Sequence, residues 1–85
     1  MEKINFQEYD IVRVVRLTTP ERYNVGGNPS IKRQPNIGDI GTIVHAYPII
    51  PGKEKAYIVE CLGEEGTYWV CDFYEHELEL VTRAS

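Results

Sequence analysis

The run Asp10-Ile-Val-Arg-Val-Val-Arg-Leu17 holds four β-branched residues and neither glycine nor proline. Side chains of this kind suit a pleated, half-buried surface, so the run predicts a first strand. Gly41–Tyr47, Ala56–Leu62 and Thr67–Phe73 share its character, and the shorter Leu78–Val81 reads as a closing strand. Prolines, glycines or paired acids interrupt the chain between most of these runs, and no window carries apolar residues at sustained helical spacing. Only Tyr74–Glu77 is suited to a single helical turn. The expected fold is all-β, with five short strands.

At 85 residues the chain predicts one domain, spanning 1–85. So short a chain buries a thin core, with net stability on the order of 5 kcal/mol. That leaves little room for an internal ligand cavity, and function is expected on the outer face or in a long loop. Composition is that of a globular protein, 42% hydrophobic and 26% charged. Ile40–Ile50 is too short to span a bilayer, which takes about 20 apolar residues. The opening Met-Glu-Lys-Ile-Asn-Phe lacks the basic start and apolar stretch of a signal peptide. The expectation is a cytoplasmic protein with no membrane partner.

The net charge of −4 is unevenly placed. Residues 1–55 carry eight Lys/Arg against six Asp/Glu, a net +2, whereas residues 56–85 carry one Arg against seven acids, a net −6. An acidic closing third repels a phosphate backbone and attracts a basic partner, though charge of this kind also simply keeps a small domain soluble.

Each connection has its own chemistry. Gly63-Glu-Glu-Gly66 predicts a tight hairpin between strands three and four. With Glu64 and Glu65 as the turn, Cys61 faces Tyr68 and Glu60 faces Trp69. Cys61 and Cys71 are then three residues out of register, roughly 10 Å apart at about 3.3 Å per residue. A disulfide wants Cα atoms within about 7 Å, so two free, packed thiols are expected. Pro48-Ile-Ile-Pro-Gly-Lys-Glu-Lys55 cannot be a central strand. Its Ile49 and Ile50 either fold back onto the core, the favoured expectation, or form an exposed apolar tip. Thr18–Asn36, between strands one and two, is long for a compact domain, where loops beyond about 12–15 residues are uncommon. It carries Arg22, Lys32 and Arg33 against Glu21 alone, and is locally basic on an acidic protein.

The segment Ile37-Gly-Asp-Ile-Gly-Thr-Ile-Val44 and the strand Ala56-Tyr-Ile-Val-Glu60 resemble the small SH3-like barrels of bacteria and plastids, and most of all a family of short bacterial proteins of unknown function. Gly38 and Gly41 bracket a sharp turn that Asp39 can cap with its side chain. Tyr9-Asp-Ile-Val12 resembles the family's first strand, and Tyr74-Glu-His-Glu-Leu-Glu-Leu-Val81 its last. The resemblance implies a small five-stranded SH3-like barrel with a long loop between strands one and two. It implies almost nothing about function, since such barrels host many. Gly-Asp-Ile-Gly-Thr-Ile-Val is also similar to the KOW motif of ribosomal and transcription-factor barrels. Those usually carry a basic face, and this chain departs from them there.

No residues read as an enzyme site. His45 is expected as an outward strand residue, and neither it nor His76 has a nucleophile and orienting group beside it in sequence. Two cysteines do not make a zinc motif, and no phosphate-binding glycine loop is present. The expectation is a non-enzyme with no cofactor and no metal. In strand three the Tyr57, Val59 and Cys61 face is the inner one. In strand four Trp69 and Cys71 point in, which leaves Tyr68 outside. The candidate partner-binding residues are Arg22, Tyr23, Lys32, Arg33, Tyr47 and Tyr68, because exposed Tyr near Arg makes recognition patches. Glu75, Glu77 and Glu79 alternate and form a candidate acidic surface; three carboxylates on one face would suit a cation but are more often solvated.

These residues support a binding or interaction module with a protein partner, either neutralising it or serving as an accessory subunit. The alternative is nucleic-acid binding through the 18–36 loop and the KOW-like turn, which rests on Arg13, Arg16, Arg22, Lys32 and Arg33 and is opposed by the net charge. An open strand edge would also permit a homodimer.

Overall fold

The computed structural model describes residues 5–19, 21–22 and 32–84. Five antiparallel strands form one sheet: β1 (Ile11–Val14), β2 (Ile40–Ala46), β3 (Ala56–Gly63), β4 (Gly66–Tyr74) and β5 (Leu78–Thr82). Their spatial order is β4-β3-β2-β1-β5. A single 3-10 turn, Glu75–Glu77, links β4 to β5, and the described residues contain no α-helix. No helix among them is long and apolar enough to cross a membrane.

Alternation places one face of every strand in a common core. Val12 and Val14 of β1, Ile43 of β2, Tyr57, Val59 and Cys61 of β3, Trp69, Cys71 and Phe73 of β4, and Leu78 of β5 are all buried there. The inner faces expected for β3 and β4 are therefore the observed ones, and His45 is exposed as expected. Tyr57 carries its polar end inward: its hydroxyl donates to Glu75 Oε2 at 2.6 Å and accepts Phe6 N at 3.1 Å. Burial and the Glu75 carboxylate both push that phenol's pKa up.

Strand one is shorter than the β-branched run suggests. At Val14 the chain still pairs with the turn before β2, through Val14 N to Asp39 O at 2.9 Å and Gly38 N to Val14 O at 2.7 Å. Val15 N and Arg16 N then both turn to Glu77 O, and the strand ends. The turn itself is capped by Asp39, which accepts Asn36 N at 2.9 Å. Gly38 takes φ +98°, which favours glycine. Gly41 is needed for another reason: a Cβ there would lie 2.8 Å from the carbonyl oxygen of Glu60 on β3.

The hairpin after β3 turns at Glu64–Glu65, but its register differs from expectation. Leu62 pairs with Thr67, while Cys61 pairs with Trp69, so Tyr68 is an extra, bulged residue. This puts Cys61 two positions, not three, from Cys71, which faces Val59. Both thiols are free and buried. At the other end of the sheet, the buried Asp10 carboxylate accepts Gln7 N at 2.8 Å, Ala84 N at 2.7 Å and Arg83 Nη1 at 2.9 Å, tying the first turn to the chain beyond β5.

Candidate functional site

The basic loop residues are largely committed to the fold. Arg22 is 8% exposed, contrary to the expectation of a partner-binding side chain. It reaches across β4, donating Nη1 to Asp72 O at 2.6 Å and Nη2 to Glu77 Oε2, with its guanidinium 4.2 Å from the centre of the Phe73 ring. Its backbone is held by Gln34, whose side chain bonds both Arg22 N and Arg22 O. Arg33 grips Asp39 with both guanidinium nitrogens, at 2.8 and 3.1 Å, and stacks 4.7 Å over the Tyr68 ring. Burial alone would raise the pKa of Asp39, but Arg33, Asn36 N and Trp69 Nε1 hold it below the usual carboxylate range. Lys32 is exposed, with Nζ on Glu65 O at 2.9 Å and its backbone N on the carbonyl of the bulged Tyr68. Tyr23 lies outside the described residues.

The acidic residues do not form one surface. Glu79 is exposed and pairs with Arg13 at 2.7 Å. Glu75 is half-buried against Tyr57. Glu77 is fully buried, which corrects its expected place on a solvated face. Its carboxylate accepts Thr18 N and Thr18 Oγ1 at 2.8 and 2.9 Å, the Arg22 guanidinium, and Tyr74 N at 2.9 Å. Burial raises its pKa; these donors outweigh that and hold it low. An alternating pattern cannot show this, because the 3-10 turn breaks the period-two geometry between Glu75 and Glu79. Tyr68 is half-buried and not outside: its ring lies flat against Gly63, where an added Cβ would meet it at 2.0 Å.

What the fold does leave open is the surface around residues 47–56. Ile49 and Ile50 are 74% and 53% exposed and do not fold back onto the core. Pro48 and Pro51 flank them, so neither end of this segment can continue the β2–β3 ladder in full. Beside them runs a cross-strand row. Tyr47 N bonds Ala56 O at 3.1 Å, and Ala56 pairs with Tyr74. Beside the two tyrosines lies an open cavity of about 580 Å³, lined also by Pro48, Ile50, Lys53, Glu54 and Ala56.

Both tyrosines are held from behind. The Tyr47 hydroxyl donates to Asp72 Oδ1 at 2.7 Å, which raises its pKa, and His45 packs edge-on against the ring at 5.2 Å. Tyr74 is stacked on His76, 6.1 Å away at an interplanar angle of 10°. Glu54 Oε2 accepts both the backbone N and Nδ1 of His76, at 2.9 and 2.5 Å, fastening the 47–55 loop to the 3-10 turn. Of the expected site residues, only Tyr47 belongs to this group. Ala56 and Tyr74 had no signal of their own; the row becomes visible only once strand register is known. Comparison of the chain with protein-family models, with curated proteins and with solved structures gives no match.

Proposed function

We propose that the protein is a non-catalytic interaction module that docks a protein partner on the surface formed by residues 47–56 and Tyr74. The observation that carries this reading is the pair Ile49 and Ile50, held out in solvent beside the half-exposed Tyr74, which is 46% exposed. Small soluble proteins rarely keep contiguous apolar side chains in water without a use for them. Covering the two isoleucines would contribute on the order of 2–4 kcal/mol to association.

On this reading the scaffold is an SH3-like barrel. The strand order, a core shared by all five strands and the register breaks at Ile11/Val12, Ile43/His45 and Cys61/Leu62 support a strongly coiled sheet. The nucleic-acid alternative is weakened by where its cations go. Arg22 and Arg33 neutralise Glu77 and Asp39, and Arg13 faces Glu79.

The test is site-specific photocross-linking in native-host extract, with a photoreactive residue at position 49 or, as a control, at position 64. A discrete adduct from 49 and none from 64 supports the reading. Equal adducts from both positions, or none from either, refute it. A low-salt titration that shows RNA or DNA binding would favour the alternative.

A further inference from the structure

Three turns among the described residues share one pattern. Each is closed by a hydrogen bond from its fourth residue to its first: Asp10 N to Gln7 O at 3.1 Å, Asp39 N to Asn36 O at 3.0 Å and Lys53 N to Ile50 O at 3.0 Å. In each the third residue has positive φ: +73° at Tyr9, +98° at Gly38 and +81° at Gly52. This is the type II turn, whose third position asks for glycine or asparagine. The 7–10 and 36–39 turns match further. In both, the aspartate at the fourth position accepts the first residue's N–H on its carboxylate, Asp10 from Gln7 at 2.8 Å and Asp39 from Asn36 at 2.9 Å. One of these two like-built turns holds a glycine where the other holds a tyrosine.

The fold imposes the backbone at position 9 without using the phenol. Asp10, fully buried, is held by Arg83 Nη1 and Ala84 N, and its carbonyl accepts Ile43 N at 2.9 Å. Tyr9 N bonds Ile43 O at 2.7 Å, a contact any residue but proline would make. The Tyr9 side chain is 68% exposed and has no hydrogen bond or ring contact among the described residues. A bulky L residue is strained at this φ, and asparagine tolerates it better. A side chain that costs stability and touches nothing in its own fold marks a position kept for another purpose. The turn also lies near the surface already described. β1 begins two residues after Tyr9, and the antiparallel β2 ends at Ala46, so the Tyr9 turn and the 47–56 segment leave the same end of the sheet.

We infer that Tyr9 is a second anchor for the protein partner, its phenol seated in a pocket of that partner, an inference that rests on the interaction reading above. Tyrosine supplies a large, rigid contact area at small ordering cost, with a hydroxyl that fixes orientation. Residues 7–10 hold two acids and no cation, and Arg83 beside them is engaged by Asp10 and the Asn5 carbonyl. A phosphate backbone or an anionic lipid headgroup finds no counter-charge there.

The test pairs stability with capture, using Tyr9→Asn, Tyr9→Phe and the photoreactive residue at position 49 in native-host extract. Tyr9→Asn should raise the melting temperature by about 2–6 °C, because asparagine relieves the turn. It should also lower the yield of the position-49 adduct at least about fivefold. Tyr9→Phe, which keeps the ring, should retain at least about half of that yield. A photoreactive phenylalanine at position 9 should give a protein adduct with the same partner as position 49. A melting temperature that does not rise in Tyr9→Asn would overturn the inference, because the phenol would then serve the fold. An unchanged position-49 yield, or a position-9 adduct with nucleic acid or lipid, would also overturn it. If position 49 still captures its partner in those cases, the docking surface stands and only the role of Tyr9 is lost; if position 49 captures nothing in the wild type, the docking reading itself fails.

Discussion

Removing either half of the Arg22–Glu77 pair should have unequal effects, and the asymmetry follows from who is left behind. In Arg22→Met the Glu77 carboxylate stays buried but keeps Thr18 N, Thr18 Oγ1 and Tyr74 N as donors. Methionine also retains a flexible apolar stem against Phe73. The cost should fall near the low end of the range for breaking a buried pair, about 3 kcal/mol. In Glu77→Ala the Arg22 charge keeps the Asp72 carbonyl and the Phe73 ring but no carboxylate, and two backbone N–H groups lose their acceptor. That cost should reach about 5 kcal/mol, comparable with the whole stability of a domain this size. Urea unfolding followed by the fluorescence of Trp69, the only tryptophan and fully buried, measures both. Arg22→Met should unfold at lower urea than the wild type, and Glu77→Ala should be largely unfolded in buffer. A Glu77→Ala protein within about 1 kcal/mol of wild type would refute the claim that this pair anchors Thr18 and Arg22 to the sheet.

Stability should also fall in acid. Asp10, Asp39 and Glu77 have pKa values lowered in the fold from ordinary values of 3.8, 3.8 and 4.5. Their contribution is therefore complete above those values and lost as pH falls through the lowered ones, so urea midpoints should be flat from neutrality to about pH 5 and decline below it. Asp39→Ala should cost about 2–3 kcal/mol and shift Trp69 emission, because it removes the acceptor of Trp69 Nε1 at 3.1 Å together with the Arg33 pair. Gly63→Ala should cost about 1–3 kcal/mol by displacing the Tyr68 ring, and most of that cost should vanish in a Tyr68→Ala background. Burial raises the pKa of both thiols, that of Cys71 to about 11, so a disulfide reagent should label neither until urea unfolds the chain.

The strands were legible because a period-two pattern needs only local information. Glu60 and Asp72 betray the outer face of β3 and β4, and Tyr57, Trp69 and Cys71 are buried opposite them. The bulge at Tyr68 was not legible, since one extra residue in a ladder leaves no mark in side-chain type. Arg22 and Glu77 are 55 positions apart and each sits in a polar segment, so both read as surface charge. Their burial depends on the segment at Arg22 lying across β4. Ile49 and Ile50 misled for the opposite reason: apolar side chains default to the core, but the flanking prolines hold this segment away from it.

On the proposed reading, stability and recognition reside in different parts of the chain. Measuring both properties of Ile49→Ser with Ile50→Ser tests this directly. The predicted result is an unfolding free energy within about 0.5 kcal/mol of wild type, as for exposed positions, together with loss of partner capture by a photoreactive residue at position 74. A loss of more than about 2 kcal/mol with capture intact would contradict it, because the isoleucines would then belong to the core.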